Sequence, residues 1–177
     1  QFFTEKIAYL PNTYMVDDSK RQPSSRVFTR TELGLPENGF VFCCFNNSYK
    51  FNKKTLQSWA KIILSVPSSV IWISGGNELF KNNIVTEFKR HGVDEARIIF
   101  AKRVDSMADH LARLSLADLF LDTLPFNAHT TAIDALKAGL PLLACTGEAF
   151  AGRVSSSLLN AIGLPELIVK TMAEYEN

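Results

Sequence analysis

A histidine and two threonines follow one another at His129, Thr130 and Thr131, where a polar loop gives way to an apolar helical pattern. A helix N-terminus offers unpaired N–H groups and a partial positive charge, so it suits a phosphate group. A structural interpretation stays open, because Thr131 and Asp134 have the spacing of a capping box that satisfies the backbone by itself. Both interpretations can hold together. In that case Asp134 would turn away from the phosphate, since like charges repel, and a ribose hydroxyl would be its natural partner.

Lys50 follows the apolar run at residues 41–45 and is the next candidate. A lysine at the carboxyl end of a strand can neutralise a phosphate, although a solvated surface lysine is the ordinary alternative. The sequence has no Asp-x-Asp pair, which is the carboxylate arrangement that holds Mg²⁺ against a diphosphate. Without a metal, a departing diphosphate would be neutralised by Lys50 and by the helix end at Thr130 and Thr131. We therefore expect no metal and no cofactor.

His110 and Arg113 are three residues apart in a helical pattern, so they share one face of the helix. Side by side, an imidazole and a guanidinium could stack on a nucleobase and hydrogen-bond to it. The alternative is a solvated face on which Asp109 pairs with Arg113 at a spacing of four residues.

Short apolar runs alternate with helical patterns from residue 31 onward. Strands are predicted at 41–45, 70–73, 98–101, 119–122 and 141–145, and helices at 55–64, 79–91, 106–114, 131–137 and 153–162, with another from 173. This alternation is typical of an α/β fold, a parallel sheet with helices on both faces. Ligands bind such sheets beyond the carboxyl ends of the strands. We expect one domain over residues 31–177, truncated at its C-terminus, and a connector at 1–30 from a missing upstream domain.

Composition excludes several classes of protein. The 177 residues are 46% hydrophobic, enough for one buried domain, and the net charge of +1 without basic clusters argues against nucleic-acid binding. No apolar run approaches the length of a membrane span, and residues 1–12 lack the layout of a secretory signal. The three cysteines form no disulfide or metal pattern and indicate a reducing, cytoplasmic location. Dinucleotide, P-loop and nucleophile-elbow motifs are absent from the sequence.

Seven strings in consistent order resemble the O-linked N-acetylglucosamine transferase family, in its bacterial, SPINDLY-like branch. They are FNNSYK at 45–50, VPSSVIW at 66–72, RIIFA at 97–101, ADLFLDT at 117–123, NAHTT at 127–131, DALKAG at 134–139 and GEAFAGRVSSS at 147–157. The resemblance extends from about residue 5 to residue 175. Several ordered motifs across one domain make it specific.

This resemblance implies a GT-B glycosyltransferase with two Rossmann-like lobes behind a tetratricopeptide superhelix, of which this chain is the C-terminal, donor-binding lobe. It implies inverting, metal-independent transfer of N-acetylglucosamine from UDP-N-acetylglucosamine to Ser or Thr of proteins. The protein acceptor would be held by the missing lobe and the repeats, so the isolated lobe should bind nucleotide weakly and transfer nothing. Two alternatives stay open: GDP-fucose or UDP-glucose as the donor, and a non-catalytic nucleotide-binding or scaffold module.

The resemblance also implies roles at the diphosphate. Lys50 would pair with the diphosphate and act in catalysis, and Asn47 would lie beside it. Thr130 and Thr131 would present their amides and hydroxyls to the phosphates, with His129 adjacent.

At the nucleoside, the resemblance implies that His110 stacks on the uracil, that Arg113 lies near the edge of the base, and that Asp134 approaches the ribose. Met107 stands where relatives can have a lysine that contacts the ribose, and is a departure from the family pattern. The segment 74–82 follows no pattern of the family.

Overall fold

The computed structural model describes residues 4–177, which form one six-stranded, fully parallel sheet with helices. The strand order is β3-β2-β1-β4-β5-β6. The strands are β1 (Val41–Cys44), β2 (Val70–Ser74), β3 (Ile98–Ala101), β4 (Leu119–Leu121), β5 (Leu142–Cys145) and β6 (Ile168–Val169). The parallel sheet expected from the sequence is confirmed.

In the described part of the chain, six α-helices cover the sheet in two groups. They are α1 (Lys53–Ser65), α2 (Glu78–Arg90), α3 (Met107–Leu114), α4 (Thr130–Lys137), α5 (Val154–Ala161) and α6 (Met172–Glu176). Helix α1 contacts α2 and α6, whereas α4 contacts α3 and α5. A right-handed crossover places the connecting helices of each half on opposite faces of the sheet. The predicted Rossmann-like architecture with helices on both faces is therefore confirmed.

The central strand β1 is buried along its whole length, which explains its continuous apolar run. It pairs with β2, where Cys43 lies opposite Trp72, and with β4, where Cys43 lies opposite Phe120. Trp72 and Phe120 are fully buried. All three cysteines of the chain are free and buried, and burial raises the pKa of the Cys43 thiol well above its usual range. These thiols serve as core residues.

Local signals in the sequence set the helix ends. The Ser106 hydroxyl accepts a hydrogen bond from the Asp109 N–H at 2.9 Å and caps α3. Helix α4 stops before Gly139, whose φ of 74° lies in the left-handed region that favours glycine. Strand β6 was not predicted, because two residues are too few to show a periodicity.

The neighbouring strands β1 and β4 form the switch point of the sheet. After β1 the chain continues to β2 and β3 on one side, and after β4 it continues to β5 and β6 on the other. Connections that leave two adjacent strands in opposite directions open a crevice at their carboxyl ends. The loops at 45–52 and 122–129 meet at this crevice.

Residues 4–30 contain no helix or strand, and they pack along α3, α4 and α5. Residues 1–3 of the predicted connector lie outside the described residues. The proposed division at residue 30 stays a prediction.

Candidate functional site

A cavity of about 430 Å³ opens at the switch point between β1 and β4. It is lined by Phe45, Asn46, Asn47, Ser48, Tyr49, Lys50, Ser74, Gly75, Phe80, Thr130 and Thr131. Four of the residues predicted for the diphosphate site are therefore brought to one cavity. The volume falls within the range typical of small-ligand sites, about 300–1,000 Å³.

The N-terminus of α4 lies at this cavity without a side-chain cap from any of residues 4–177. The predicted capping box of Thr131 and Asp134 is wrong. The Thr131 hydroxyl donates instead to Oδ1 of Asn46, and the Asp134 carboxylate accepts from Arg21. Because the side chains are used elsewhere, the first N–H groups of α4 stay available to a ligand, and the positive end of the helix dipole faces the cavity.

A buried carboxylate positions this helix end. Oδ1 of Asp122 accepts hydrogen bonds from the N–H groups of Thr123 and Ala128, at 2.7 and 2.6 Å, and from Nδ2 of Asn46 at 3.2 Å. Asn46 in turn holds the hydroxyl of Thr131. Burial raises the pKa of Asp122 to about 6, although the hydrogen bonds it accepts lower it. The Thr131 hydroxyl proton is thus already used, and the N–H of that residue remains as its donor to a ligand.

Lys50 ends a short 3₁₀ helix, Ser48–Lys50, and its side chain is buried. Its Nζ donates to the carbonyl oxygen of Asn127 at 2.8 Å and lies 4.5 Å from the centre of the Phe126 ring. Burial lowers the pKa of Lys50, and the Asp122 carboxyl works in the opposite direction. Water solvates this buried ammonium only partly, and its partners are a carbonyl oxygen and an aromatic face. A bound anion would therefore stabilise its charge further.

His129 precedes α4 and is held between the loop and the N-terminal segment. Its ring stacks on Phe126 with centroids 4.9 Å apart, and its Nδ1 lies 2.9 Å from the Tyr14 hydroxyl. Burial lowers the pKa of His129, and the nearby charge of Lys50 lowers it further, whereas the Ala151 backbone raises it. These effects together favour the neutral form of the imidazole, which lies beside the ammonium of Lys50.

His110 and Arg113 share a face of α3, as predicted. Nη2 of Arg113 lies 3.0 Å from Nδ1 of His110, and both side chains contact the ring of Phe45. Burial lowers the pKa of His110, as does Arg113. Neither residue lines the 430 Å³ cavity; Arg113 lines a neighbouring cavity of about 570 Å³, which shares residues 74 and 75 with the first.

The carboxylates of Asp109 and Asp134 bind residues of the N-terminal segment. The sequence had suggested other partners for both. The alternative ion pair between Asp109 and Arg113 is wrong, since Asp109 accepts from the Ser24 hydroxyl at 2.6 Å. Asp134 is buried and pairs with Arg21. A ribose hydroxyl would therefore have to share Asp134 with this guanidinium.

Sequence reasoning gave no role to several residues of the site. Asn46 and Asp122 are each the first polar residue after a buried strand, and the two strands are neighbours. That placement was a usable signal for both. Tyr14 and Arg21 lie in a segment without periodicity, so no local pattern could indicate that they reach α4.

Comparison with known proteins identifies the family. Residues 19–177 match glycosyl transferase family 41. The chain belongs to this family. The relationship that the seven strings suggested is confirmed, while the bacterial branch stays a prediction.

Relatives of this family 41 chain carry names that describe one activity. This chain is 36% identical over 181 residues to the probable UDP-N-acetylglucosamine–peptide N-acetylglucosaminyltransferase SEC of Arabidopsis thaliana. The match covers 98% of this chain and 18% of the relative. The chain is 39% identical over 154 residues to the UDP-N-acetylglucosamine–peptide N-acetylglucosaminyltransferase of Caenorhabditis elegans, covering 86% of this chain and 13% of the relative. A probable enzyme of the same activity, SPINDLY of Hordeum vulgare, is 30% identical over 97% of this chain and 20% of the relative.

A solved structure agrees with these relatives. A mutant O-GlcNAc transferase from Thermobaculum terrenum superposes with a TM-score of 0.74 at 32% identity, covering 78% of this chain and 27% of that one. The family 41 chain thus corresponds to part of the catalytic region of a GT-B transferase, and it spans at most a fifth of the three relatives named above.

Residues 4–177 lack two structural features. No helix there has both the length and the apolar character that a membrane crossing requires. No group of three or more His, Cys, Asp or Glu side chains is placed there to hold a metal ion. The expected independence from metal stays a prediction.

Proposed function

We propose that this chain is the donor-binding lobe of an inverting, metal-independent protein O-glycosyltransferase. Its donor would be UDP-N-acetylglucosamine, and its acceptors would be Ser and Thr residues of proteins. The activity for which the family 41 relatives are named supports this choice of donor and acceptor. The buried, free cysteines support a cytoplasmic location.

One observation carries the proposal: the cavity at the switch point is lined by Lys50 and by the uncapped N-terminus of α4. A diphosphate between them would receive one charge-assisted hydrogen bond from Nζ and further hydrogen bonds from the N–H groups of Thr130 and Thr131. Asn47 lines the same cavity, and its exposed amide would lie beside the phosphates.

The transfer step would place growing negative charge on the phosphate nearest the sugar. The hydroxyl of the acceptor attacks the anomeric carbon from the face opposite the diphosphate, and the bond from that carbon to the phosphate oxygen breaks. Lys50 and the helix dipole are already oriented towards the cavity, so they stabilise the leaving UDP without reorganising. The hydroxyl proton would pass to a base in the parts of the protein that hold the acceptor, namely an N-terminal lobe and tetratricopeptide repeats.

The nucleoside would lie towards α3. His110 would stack on the uracil, and Arg113, whose guanidinium is already fixed against Phe45, would lie at the edge of the base. Asp134 would approach the ribose and share its carboxylate with Arg21. Titration with UDP and GDP tests this assignment, and tighter binding of GDP would favour a guanine-nucleotide donor such as GDP-fucose instead.

Turnover of a Lys50→Ala variant of the full-length protein tests the central role. Loss of one such contact should remove about 2–4 kcal/mol of transition-state stabilisation, or about 30- to 1,000-fold in kcat. Lys54→Ala is the matched control, because Lys54 is exposed and lies outside the cavity. Undiminished turnover in Lys50→Ala would exclude the proposed role. Binding of no nucleotide sugar by the full-length protein would instead favour a scaffold module.

A further inference from the structure

Phe80 lines the same cavity as Lys50, Thr130 and Thr131. It lies in the first turn of α2, within the segment 74–82 that follows no pattern of the family. Its side chain is partly exposed. The cavity therefore has an aromatic wall in addition to its cationic groups.

The ring of Phe80 is held in place from two sides. It packs against Phe51 with centroids 5.7 Å apart and against Phe100 at 6.4 Å. Its N–H donates to Oδ1 of Asn77 at 2.9 Å, which caps α2 and fixes the first turn. The ring also lies over Gly76, where a Cβ atom would come within 2.4 Å of Cδ1 of the ring. A glycine at that position allows the ring to rest on the backbone.

An aromatic ring does not stabilise a phosphate, because a phosphate needs hydrogen-bond donors and positive charge. A pyranose ring differs, because its C–H groups form an apolar face with slight positive charge, and an aromatic face is slightly negative. The hydroxyls at the rim of such a ring need polar partners, and Asn47, Ser48 and Ser74 line the same cavity. One aromatic face with a polar rim is thus suited to a sugar.

The nucleobase is a weaker candidate for this wall. His110 and Arg113, to which the base is assigned, do not line the cavity of Phe80. With the phosphates at Lys50 and the base at α3, the remaining part of the donor is the sugar.

We propose that Phe80 contacts the apolar face of the donor sugar and so determines how strongly the site prefers a nucleotide sugar over the free nucleotide. This inference rests on the proposed function, because it requires the diphosphate to lie between Lys50 and α4.

Calorimetric titration of the full-length protein with UDP-N-acetylglucosamine and with UDP tests the contact. Phe80→Leu keeps an apolar side chain against Phe51 and Phe100 but removes the aromatic face. We expect it to bind UDP-N-acetylglucosamine about three- to tenfold more weakly and to bind UDP as the wild type does. Phe80→Tyr keeps the aromatic face and should retain the wild-type preference.

A second variant moves the ring without removing it. In Gly76→Ala the added methyl group must displace the ring of Phe80, so the same selective loss is expected. Leu79→Ala is the control, because Leu79 is a neighbour in α2 whose side chain is 69% exposed and does not line the cavity.

The outcomes separate the two proposals. Equal losses for UDP and UDP-N-acetylglucosamine in Phe80→Leu, or unchanged affinity for both, would overturn the sugar contact while leaving the donor site in place. Failure of the wild-type protein to bind UDP at all would contradict the proposed function itself.

Discussion

The hydroxyl of Tyr14 lies 2.9 Å from Nδ1 of His129, although the two residues are 115 positions apart in the chain. Tyr14 also packs on Phe150, with ring centroids 4.8 Å apart. His129 immediately precedes α4, so the N-terminal segment reaches the helix end assigned to the diphosphate. The orientation of this imidazole depends on a residue far outside the loop that carries it.

Removal of the Tyr14 hydroxyl should weaken donor binding with little effect on folding. The hydrogen bond fixes the imidazole before the donor binds, and one hydrogen bond contributes about 0.5–1.5 kcal/mol. Loss of this preorganisation in Tyr14→Phe should therefore weaken binding of UDP-N-acetylglucosamine by at most about tenfold. The phenyl ring keeps its packing on Phe150, and the urea midpoint should change little. Tyr9→Phe is the control, since Tyr9 is 89% exposed. Calorimetry measures the affinity, and an unchanged dissociation constant in Tyr14→Phe would show that this hydrogen bond does not support the site.

Donor binding should strengthen as the pH falls. Burial and the charge of Lys50 lower the pKa of His129, and a diphosphate beside Lys50 would raise that pKa again. The bound state then holds more protons than the free state, so the affinity rises as the pH falls through the pKa of His129 in the bound state. UDP-N-acetylglucosamine is the appropriate ligand, because its diphosphate has no proton that titrates near neutrality.

Calorimetry in two buffers of different ionisation enthalpy would detect the accompanying proton uptake. His129→Asn should lose most of the pH dependence, whereas His91→Asn should keep it, because His91 lies at the end of α2 away from the cavity. The pKa of His110 is also lowered, so His110→Asn measures how much of the pH dependence of the affinity comes from His110. A pH-independent affinity in the wild type would contradict the proximity of the diphosphate to His129.

The ion pair of the partly exposed Arg21 with the buried Asp134 should matter for stability. Asp134 is 5% exposed, so Arg21→Met leaves its carboxylate buried without its partner. Loss of one member of such a pair costs about 3 kcal/mol. Arg26→Met is the matched control, because the Arg26 side chain is 51% exposed and its pair with Glu32 should contribute under about 1 kcal/mol.

Urea denaturation measures both free energies of unfolding. The double variant Arg21→Met with Asp134→Asn should recover part of the loss, because no unpaired charge then remains buried. If the double variant is as unstable as the sum of the single variants, the two side chains are not coupled.

The sheet and most helices could be predicted because their signals are local. Buried strands such as Val41–Cys44 appear as continuous apolar runs, and helix ends appear as Ser106 or Gly139. The same apolar runs predicted that Lys50 and the turn at residues 129–131 lie at the carboxyl ends of strands.

The hydrogen-bond partners within the site could not be predicted, because they depend on contacts between distant segments. The capping box is an example: Thr131 and Asp134 have the correct spacing, but Asn46 and Arg21 compete for them from elsewhere in the chain. A local pattern identifies which groups are available. Tertiary contacts decide which partner each group takes.

Asp122 should give the protein an unusual dependence of stability on pH. Its pKa of about 6 in the folded state lies above the ordinary value of 3.8, because burial disfavours the charged form. The folded state therefore binds the proton more tightly than the unfolded state does. The stability that comes from this proton is fully present below about pH 4 and is lost as the pH rises through about 6. A shift of this size corresponds to about 2–3 kcal/mol.

Asp122→Asn separates this effect from the titration of other carboxyls. The amide oxygen of asparagine can still accept from the Thr123 and Ala128 N–H groups, so the loop that carries Lys50's partner should keep its shape. Between pH 4 and 7 the free energy of unfolding of the variant, relative to wild type, should rise by about 2–3 kcal/mol. The free energies of unfolding are measured by urea denaturation at each pH. If they change with pH in parallel for the two proteins, Asp122 does not titrate in this range. The position would then stabilise the helix end through its hydrogen bonds alone, with its carboxylate ionised throughout.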